Sequence, residues 1–461
     1  MRPGDDDLWL LPLGGCGEIG MNLNLYGHAG QWLMVDCGIT FARPGETGPH
    51  VQMPDPAFIA SRREQLQALI VTHAHEDHVG AVAHLWPQLQ CPVYVTRFCR
   101  AILERKLREA GLLNRVPLKA LRNDTAVQLG PFRVEPIGLT HSTPETQALL
   151  IETAVGRVFH TADWKLDPDP VVGATYSEKR LKGLAVLGID AMVCDSTNAL
   201  TPGRSTSEGE LSEGIEDLVR SAPGRVVIAC FGSNVARLAT IARVAERCGR
   251  YPGLIGRSLH NYYAAARAAG LWNEGPTLID SAHLGYLPRE ETLAIATGSQ
   301  GEPRAALDRL AADSHPDLSL ESGDRVVFSS RVIPGNEDAV ERLCDRLQRL
   351  GVDVVHDTQS NRPIHASGHP AQDELRELYQ WVDPAIAIPV HGEAEHLEAH
   401  RLLARELDVS RQLVGRNGDL FMIKPTPGIR RGAAPVGRLG LDRGQLQPLS
   451  SGATPASAVH G

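Results

Sequence analysis

The feature that most constrains this chain is a short polar segment, residues 71–80, which reads V-T-H-A-H-E-D-H-V-G. An apolar run of Leu69, Ile70 and Val71 leads into it and predicts a short buried strand. The segment then presents three imidazoles and one carboxylate within six residues, namely His73, His75, Asp77 and His78. This mixture of nitrogen and oxygen ligands suits Zn²⁺, and the spacing can give alternate residues to two different ions. We therefore predict a metal site rather than a surface loop that is merely rich in histidine.

Composition and charge are those of an ordinary globular chain. The 461 residues predict two or three domains, or one domain with a large insertion. The net charge of −9 argues weakly against nonspecific nucleic-acid binding, although a local basic groove would matter more than the sum. The eight cysteines form no C-x-x-C pair, and the acidic N-terminus is unlike a signal peptide. No stretch approaches the ~18 apolar residues of a membrane span, so we expect a cytoplasmic protein without a membrane partner.

The order of strand and helix patterns predicts a layered α/β fold. Helical patterns at 79–90 and 97–110 follow the metal segment, with a short strand pattern between them. His141 and Asp163 each stand just after a short apolar strand, where a layered sheet carries its functional loops. A single His or Asp at such a place is more often structural, but two of them downstream of H-x-H-x-D-H favour a metal site.

The middle of the chain has a different rhythm, which predicts a second domain. Strand patterns, including one at 278–279, alternate there with helical patterns and indicate a parallel sheet covered by helices. The chain then returns to a strand followed by His391. The predicted limits are 1–207 and 358–424 for the first domain, 208–357 for the insertion, and 425–461 for a linker or disordered tail.

One glycine-rich stretch invites a different interpretation. Residues 15–20, G-C-G-E-I-G, match the dinucleotide-binding pattern G-x-G-x-x-G, and Asp36 follows sixteen residues later. We reject that interpretation because the fingerprint requires a helix to open at the last glycine, whereas residues 22–26 alternate polar and apolar as a strand does. We expect these glycines to form a tight turn close to the metal site.

In their order along the chain, the metal-type residues resemble the signature of the metallo-β-lactamase fold: H-x-H-x-D-H at 73–78, then His141, Asp163 and His391. The insertion and the motifs C-D-S-T-N, H-A-S-G-H and P-V-H-G-E resemble the β-CASP group of nucleic-acid hydrolases. Longer strings, such as A-D-W-K-L-D, T-G-S-Q-G-E-P and I-P-G-N-E, are similar to the ribonuclease J family. The resemblance spans about residues 10–446 and implies an α/β fold, a metallo-β-lactamase αββα sandwich with an inserted β-CASP domain of parallel-sheet type.

The resemblance also implies which residues hold metal. The two implied ligand sets are His73, His75 and His141 for one Zn²⁺ and Asp77, His78 and His391 for the other, with Asp163 bridging them. Two metals about 3.5–4 Å apart suit displacement at phosphorus. Mn²⁺ or Mg²⁺ would serve as alternative activators. Asp36 is expected to orient a loop or a ligand histidine, as carboxylates near metal sites often do.

Other motif residues are expected to act on the substrate. The implied catalytic residues are His369, Asp195 and Asp77, of which His369 would stabilise the transition state or protonate the leaving oxygen. The turn at 365–369 resembles a 5′-phosphate pocket, where backbone N–H groups can cradle an anion. The implied substrate-binding residues are Ser233, Asn234, His365, Ala366, Ser367, Gly368 and His369. The basic residues near these motifs, which would have to face the RNA groove to bind it, are Arg237, Arg304, Arg331 and Arg362.

The predicted function is that of a zinc-dependent ribonuclease that shortens single-stranded RNA from its 5′ end and prefers a 5′-monophosphate, with internal cleavage left open as a second activity. It would act in RNA processing and decay. The alternatives are an endonuclease of the mRNA 3′-processing type, a small-molecule ester hydrolase, and a non-catalytic RNA-binding scaffold. The insertion of about 150 residues argues against the ester hydrolase, and the full set of metal-type residues argues against the scaffold. Ribonuclease J proteins usually continue beyond the G-R-L-x-L-D element at 437–442, and a missing C-terminal domain would weaken a homodimer or higher oligomer.

Overall fold

The fold is given by a computed structural model, which describes residues 1–42, 46, 48–273 and 275–449. Among these residues, thirteen strands precede the insertion: β1 (Leu8–Gly14), β2 (Leu23–His28), β3 (Gln31–Val35), β4 (Thr40–Phe41), β5 (Val51–Pro54), β6 (Leu66–Ile70), β7 (Val93–Val95), β8 (Leu118–Ala120), β9 (Val127–Leu129), β10 (Phe132–Gly138), β11 (Gln147–Glu152), β12 (Arg157–His160) and β13 (Ala191–Asp195). The helices among them are α1 (Ala57–Ala60), α2 (Glu76–Val79), α3 (Val82–Leu89), α4 (Arg97–Glu109) and α5 (Glu178–Leu187).

The middle of the chain alternates helices and strands. Its elements are α6 (Leu211–Arg220), β14 (Val226–Ala229), α7 (Val235–Arg247), β15 (Tyr251–Ile255), α8 (Arg257–Ala268), α9 (Ser281–Leu284), β16 (Thr292–Ala296), α10 (Ala306–Ala311), β17 (Arg325–Phe328), α11 (Glu337–Arg349) and β18 (Asp353–His356). The last part holds α12 (Gln372–Val382), β19 (Ile386–Val390), α13 (Ala394–Glu406), β20 (Arg411–Gln412), β21 (Leu420–Lys424), β22 (Gly428–Arg430), β23 (Arg438–Asp442) and β24 (Gln445–Pro448).

Two mixed sheets pack face to face. The first has the order β22-β21-β1-β2-β3-β6-β7-β8, and the second has the order β20-β19-β13-β12-β11-β10-β9. Apolar side chains from both sheets share one buried core, including Leu10, Val35, Val134 and Ile388. Helices α3 and α4 cover the outer face of the first sheet, and α5, α12 and α13 cover that of the second. This is the predicted αββα sandwich.

The inserted sheet is fully parallel, as the β-α-β rhythm predicted. Its order is β15-β16-β14-β17-β18, and every pairing within it is parallel. Helices α6, α7 and α8 pack on one face, while α9, α10 and α11 pack on the other. The carboxyl ends of its strands therefore meet at one edge, where loops can reach a ligand.

Strand direction also brings the predicted site residues together. The H-x-H-x-D-H segment follows β6 of the first sheet. In the second sheet β12, β13 and β19 run parallel to one another, so Asp163, Asp195 and His391 lie at one edge. Strand β10 points the same way, because it is antiparallel to β11, which is antiparallel to β12. His141, which follows β10, therefore joins the same edge.

The structure differs from the sequence prediction at two strands. The strand predicted at 278–279 is wrong, because Ile279 makes a single isolated bridge to Gly253. Its neighbour β15 was not predicted, since Pro252 and Gly253 weaken a strand pattern. This strand lies at the edge of the parallel sheet, where a proline is tolerated.

The predicted linker at 425–461 is also wrong over most of its length. Strand β22 extends the first sheet through β21, and β23 pairs with β5 in a small four-stranded sheet. Short strands that pair at a sheet edge need little apolar alternation, which is why their pattern is weak. Residues 450–461 lie outside the described part of the chain, and the domain limits themselves stay predictions. No helix in the described part is long and apolar enough to cross a membrane.

A buried histidine in α13 predicts acid sensitivity. His400 Nδ1 lies 2.9 Å from Ser196 Oγ, and its Nε2 lies 2.9 Å from Tyr379 Oη. Burial lowers the pKa of His400 to about 4. In the unfolded chain the pKa of His400 is about 6.5, so below this pH the unfolded chain binds a proton that the folded chain does not bind. Folding stability therefore falls as the pH drops toward 4.

This predicts that the stability advantage of wild type over His400→Asn shrinks by about 3 kcal/mol between pH 6.5 and pH 4. Chemical unfolding of the chelator-treated protein across this pH range measures it. The other buried histidines do not affect this difference in stability, because both proteins contain them. A difference in stability that stays constant with pH would contradict the prediction.

Candidate metal centre and substrate pocket

Backbone contacts fix the H-x-H-x-D-H segment before any metal is considered. The N–H of Cys37 donates to the carbonyl of His78 at 2.8 Å, and the N–H of Ile39 donates to that of Glu76 at 2.9 Å. Gly38 lies between them, and a Cβ there would be 1.7 Å from the carbonyl oxygen of Asp77. Only glycine permits this approach, so the loop after β3 holds the segment in place.

The carboxylate of Asp163 lies at the centre of the predicted metal residues. Its Oδ2 is 3.2 Å from His78 Nε2, 3.4 Å from His391 Nε2, and 3.8 Å from the Nε2 atoms of both His73 and His141. Three groups of donor atoms, each lying within 4.8 Å of one another, share this carboxylate: His73, His75, His141 and Asp163 in the first, Asp77, His78, Asp163 and His391 in the second, and Asp163, Asp195, His369 and His391 in the third. The first two groups contain the predicted metal residues. The structure thus brings all seven predicted metal residues together.

The donors fit divalent ions in number, chemistry and spacing. A tetrahedral ion with bonds of about 2.1 Å separates its ligand atoms by about 3.4 Å, close to the distances around Asp163. His73 Nε2 is buried without a hydrogen-bond partner among the described residues, and Asp163 Oδ2 at 3.8 Å is too far to serve. A buried nitrogen without a partner is costly, and an ion held by His73, His75, His141 and Asp163 would satisfy it.

Protonation of these histidines also favours metal binding. Burial lowers the pKa of His73 and His141 well below the usual range and that of His75 to about 4, so their rings are neutral as ligands must be. Burial acts the same way on His78, but the carboxylates of Asp163, Asp77 and Asp36 outweigh it and raise that pKa. The cluster therefore needs positive charge, which divalent ions would supply.

Hydrogen bonds on the far side of each ring orient the ligands. Asp36 Oδ2 lies 2.8 Å from His78 Nδ1, the role that the sequence predicted for this carboxylate. Asn22, which no sequence motif singled out, has its Oδ1 3.1 Å from His391 Nδ1. Its Nδ2 donates to the carbonyl of Asp77 at 3.2 Å. Because carboxylate and amide oxygens only accept, both rings hold a proton on Nδ1 and turn Nε2 toward Asp163.

His369 and Asp195 form a pair beside the cluster. His369 Nδ1 lies 2.7 Å from Asp195 Oδ2 and 4.0 Å from Asp163 Oδ2. Burial alone would lower the pKa of His369, but the Asp195 carboxylate outweighs it and raises that pKa to about 9. The pair fixes the ring through Nδ1 and leaves Nε2 for a substrate atom.

The turn at 365–369 packs directly on this cluster. The carbonyl of Gly368 accepts a hydrogen bond from His141 Nδ1, and Ser367 Oγ accepts one from Asn198 Nδ2 at 2.8 Å. In the described part of the chain, the N–H groups of Ser367 and Gly368 have no acceptor. They are therefore available to an anion, as the predicted phosphate pocket requires.

Several other predicted substrate contacts have structural partners instead. Asn234 caps α7 by accepting from the N–H of Arg237, and its Nδ2 donates to Glu208 Oε1 at 2.8 Å. Arg237 is buried against Glu208 and does not face a groove. Arg362 is exposed but pairs with Glu213. Ser233 is half-buried, and the remaining two predicted basic residues, Arg304 and Arg331, are exposed.

A contact from the insertion reaches the metal segment itself. The hydroxyl of Tyr262 in α8 donates to the carbonyl of Ala74 at 3.1 Å, between His73 and His75. The ring of Tyr262 also packs near Phe98 of α4, with centroids 6.2 Å apart. An isolated tyrosine in a helical pattern carries no signal of such a role in the sequence.

Comparison with known families divides the chain into three matched regions. Residues 31–228 match the family described as "Beta-lactamase superfamily domain". Residues 223–347 match "Ribonuclease J, beta-CASP domain", and residues 360–411 match "Zn-dependent metallo-hydrolase RNA specificity domain". The middle match falls within the parallel sheet and its helices.

Whole-chain relatives extend these matches. The chain is 43% identical to ribonuclease J of Sinorhizobium meliloti over 439 residues, which cover 94% of this chain and 78% of that protein. It is 38% identical to ribonuclease J of Mycolicibacterium smegmatis over 434 residues, covering 93% and 77% of the two chains. Among solved structures, a protein of unknown function from Enterococcus faecalis has a TM-score of 0.61 at 16% identity, covering 90% of this chain and 100% of that one. That likeness supports the fold alone.

The sandwich, the parallel insertion and the His/Asp cluster together define a metal-dependent nuclease of the metallo-β-lactamase fold with a β-CASP domain. At these levels of identity over nearly the whole chain, the protein belongs to the ribonuclease J family. The family, the fold and the enzyme class predicted from the sequence motifs are thereby confirmed.

The tight packing of Gly368 predicts that Gly368→Ala weakens metal binding. A Cβ there would lie 2.6 Å from His141 Cε1 and 2.7 Å from its Nδ1, so the ring must move. Loss of such an orienting contact typically costs 10–100-fold in metal affinity, and we expect roughly that loss in chelator competition. Gly183→Ala is the control, because Gly183 lies in α5 with no atom near the added Cβ. Equal metal affinity in the two variants would contradict the prediction.

Proposed function

We propose that this chain is a two-zinc ribonuclease that removes nucleotides from the 5′ end of single-stranded RNA and prefers a 5′-monophosphate. The observation that carries the proposal is the direct contact between the 365–369 turn and the metal cluster, through the carbonyl of Gly368 and the ring of His141. A phosphate held by this turn would lie close to the cleavage centre. The first scissile bond would then be near the 5′ end rather than at an internal position.

The ligand sets support the choice of metal. His73, His75, His141 and Asp163 offer three nitrogens and a carboxylate, a set that zinc binds readily. Zinc ions bound here would activate a water molecule and neutralise charge on the phosphate oxygens. Asp77 has 28% of its side chain accessible, so it lies where substrate and water can enter.

The protein's own groups would bind the end of the RNA and move one proton. The free N–H groups of Ser367 and Gly368 would bind the 5′-phosphate. Asp195 holds His369 by Nδ1, so that Nε2 can give a proton to the departing oxygen. A water oxygen forms a new bond to phosphorus, and the bond from phosphorus to the 3′-oxygen of the first nucleotide breaks.

This direction of cleavage accounts for the preference for a monophosphate. The phosphate stays on the shortened RNA, which again begins with a 5′-monophosphate and can bind the same turn. The departing 3′-oxygen leaves as a hydroxyl on the released mononucleotide. An uncharged 5′ end would lose its contacts with the turn, whose two free N–H groups match one phosphate rather than three.

The test uses a 5′-labelled single-stranded RNA that carries a monophosphate, a triphosphate or a hydroxyl. We expect labelled mononucleotides from the monophosphate RNA and at least tenfold slower release from the other two. His75→Ala should abolish release because it removes a metal ligand, while His283→Ala, an exposed histidine in α9, should keep it. Internal fragments from all three RNAs would instead support an endonuclease.

Metal removal completes this test. Dialysis against a chelator should abolish cleavage, and zinc should restore it at about two ions per chain, as measured by elemental analysis. Restoration by Mn²⁺ or Mg²⁺ alone would contradict the choice of zinc. Zinc-loaded protein without activity on any RNA would contradict the proposed function.

A further inference from the structure

Four charged side chains are almost fully buried where the insertion meets the sandwich. The exposed fractions are 1% for the Lys165 side chain, 0% for Asp167, 1% for Glu208 and 2% for Arg237. Lys165 Nζ lies 2.8 Å from Asp167 Oδ2, and the same carboxylate oxygen accepts from the N–H of Glu208 at 3.0 Å. Glu208 in turn accepts from Arg237 Nη2 at 2.9 Å and from its Nε at 3.0 Å. The four residues form one continuous charged network.

Such a network is poor at stabilising a fold. Burying charges costs several kcal/mol per ion, and well-packed apolar residues of similar volume often stabilise a protein as much or more. Two positive and two negative groups here neutralise one another, which limits the cost. The network is therefore better explained by what it holds in place.

One end of the network holds residues 365–369, the phosphate turn. Arg237 Nη1 donates to the carbonyl of Ser329 at 2.8 Å and to its Oγ at 2.6 Å, and Nη2 donates to the carbonyl of Ala366 at 3.4 Å. Ser329 Oγ donates to the carbonyl of Ile364 at 2.5 Å. The turn at 365–369 has no regular secondary structure of its own, so these bonds from α7 and the end of β17 fix where it begins.

The other end reaches the loops that carry metal-type residues. The N–H of Lys165 donates to the carbonyl of Thr140 at 2.8 Å, and the N–H of Asp167 donates to Thr140 Oγ1 at 2.9 Å. Thr140 directly precedes His141, and Lys165 follows Asp163 by two residues. The network thus spans from the metal cluster to the phosphate turn through the buried junction.

We propose that Lys165, Asp167, Glu208 and Arg237 are positioning residues that set the separation between the phosphate turn and the metal cluster. This inference rests on the proposed function, and it deepens it. The separation determines which phosphodiester reaches the metals once the 5′-phosphate is bound. The network thereby sets both the length of the released product and the preference for a monophosphate, since misplacement by about 1 Å can cost 10²-fold in rate.

The test compares Arg237→Lys with Arg243→Lys, an exposed arginine on the same helix. Lysine keeps the positive charge but lacks the planar guanidinium group that binds Glu208, Ser329 and Ala366 at once. We expect Arg237→Lys to lower the ratio of kcat/KM for monophosphate RNA to that for hydroxyl RNA at least tenfold. We also expect labelled dinucleotides and longer products. Arg243→Lys should match wild type in both readouts.

Two further measurements separate positioning from damage to the metal centre. Hydrolysis of bis(p-nitrophenyl) phosphate needs only the metal cluster, and we expect Arg237→Lys to retain it within about twofold, with unchanged zinc content. If Arg237→Lys does not fold, Ser329→Ala carries the same test, because it removes the hydroxyl that joins Arg237 to Ile364.

The outcomes distinguish the positioning role of the network from the proposed function. Retained mononucleotide release and retained monophosphate preference in Arg237→Lys or Ser329→Ala would overturn the positioning role. So would a parallel loss of bis(p-nitrophenyl) phosphate hydrolysis, because the damage would then lie at the metals. A wild-type enzyme without monophosphate preference would instead contradict the proposed function.

Discussion

The buried carboxylate of Asp163 is the constraint on which the rest of the site depends. Four imidazole nitrogens lie within 3.2–3.8 Å of its Oδ2, and the Asp163 side chain is only 3% exposed. A carboxylate in such a place must be neutralised, either by a protonated histidine or by cations. Burial keeps the rings of His73 and His141 neutral, whereas the carboxylates raise the pKa of His78, so without metal only part of this positive charge comes from a histidine. The chemistry of the site thus follows from the topology, because loops at the ends of strands from both sheets meet there.

The topology explains why residues so far apart in sequence meet there. Parallel strands β12, β13 and β19 deliver Asp163, Asp195 and His391 to one edge, and β6 of the facing sheet delivers the H-x-H-x-D-H segment. The orienting groups come from other loops, such as Asn22 after the glycine-rich turn. No single stretch of chain forms the site, so its geometry depends on the whole sandwich.

Sequence reasoning reaches furthest where residues form an unusual local pattern. Histidines and acids at close spacing have few structural explanations, so all seven predicted metal residues could be named before their positions were known. The contacts of Asn22, Tyr262 and Arg237 could not be predicted, because an amide, a phenol or a single arginine is common in any fold. Their roles depend on long-range contacts, such as the 2.8 Å bond from Arg237 to the carbonyl of Ser329. The strands after residue 425 were missed for a related reason, since they are short and pair at sheet edges.

The insertion contacts the surroundings of the metal cluster at two separate points, one on the metal segment and one on the turn at 365–369. Tyr262 of α8 reaches the carbonyl of Ala74 in the metal segment, while Arg237 of α7 reaches the turn that packs on His141. Both contacts are hydrogen bonds to backbone carbonyls, which fix position rather than side-chain chemistry. A rigid shift of the parallel sheet would therefore move the metal segment and the phosphate turn together. The insertion thus helps to hold both loops in place, through Tyr262 of α8 on the metal segment and Arg237 of α7 on the turn at 365–369.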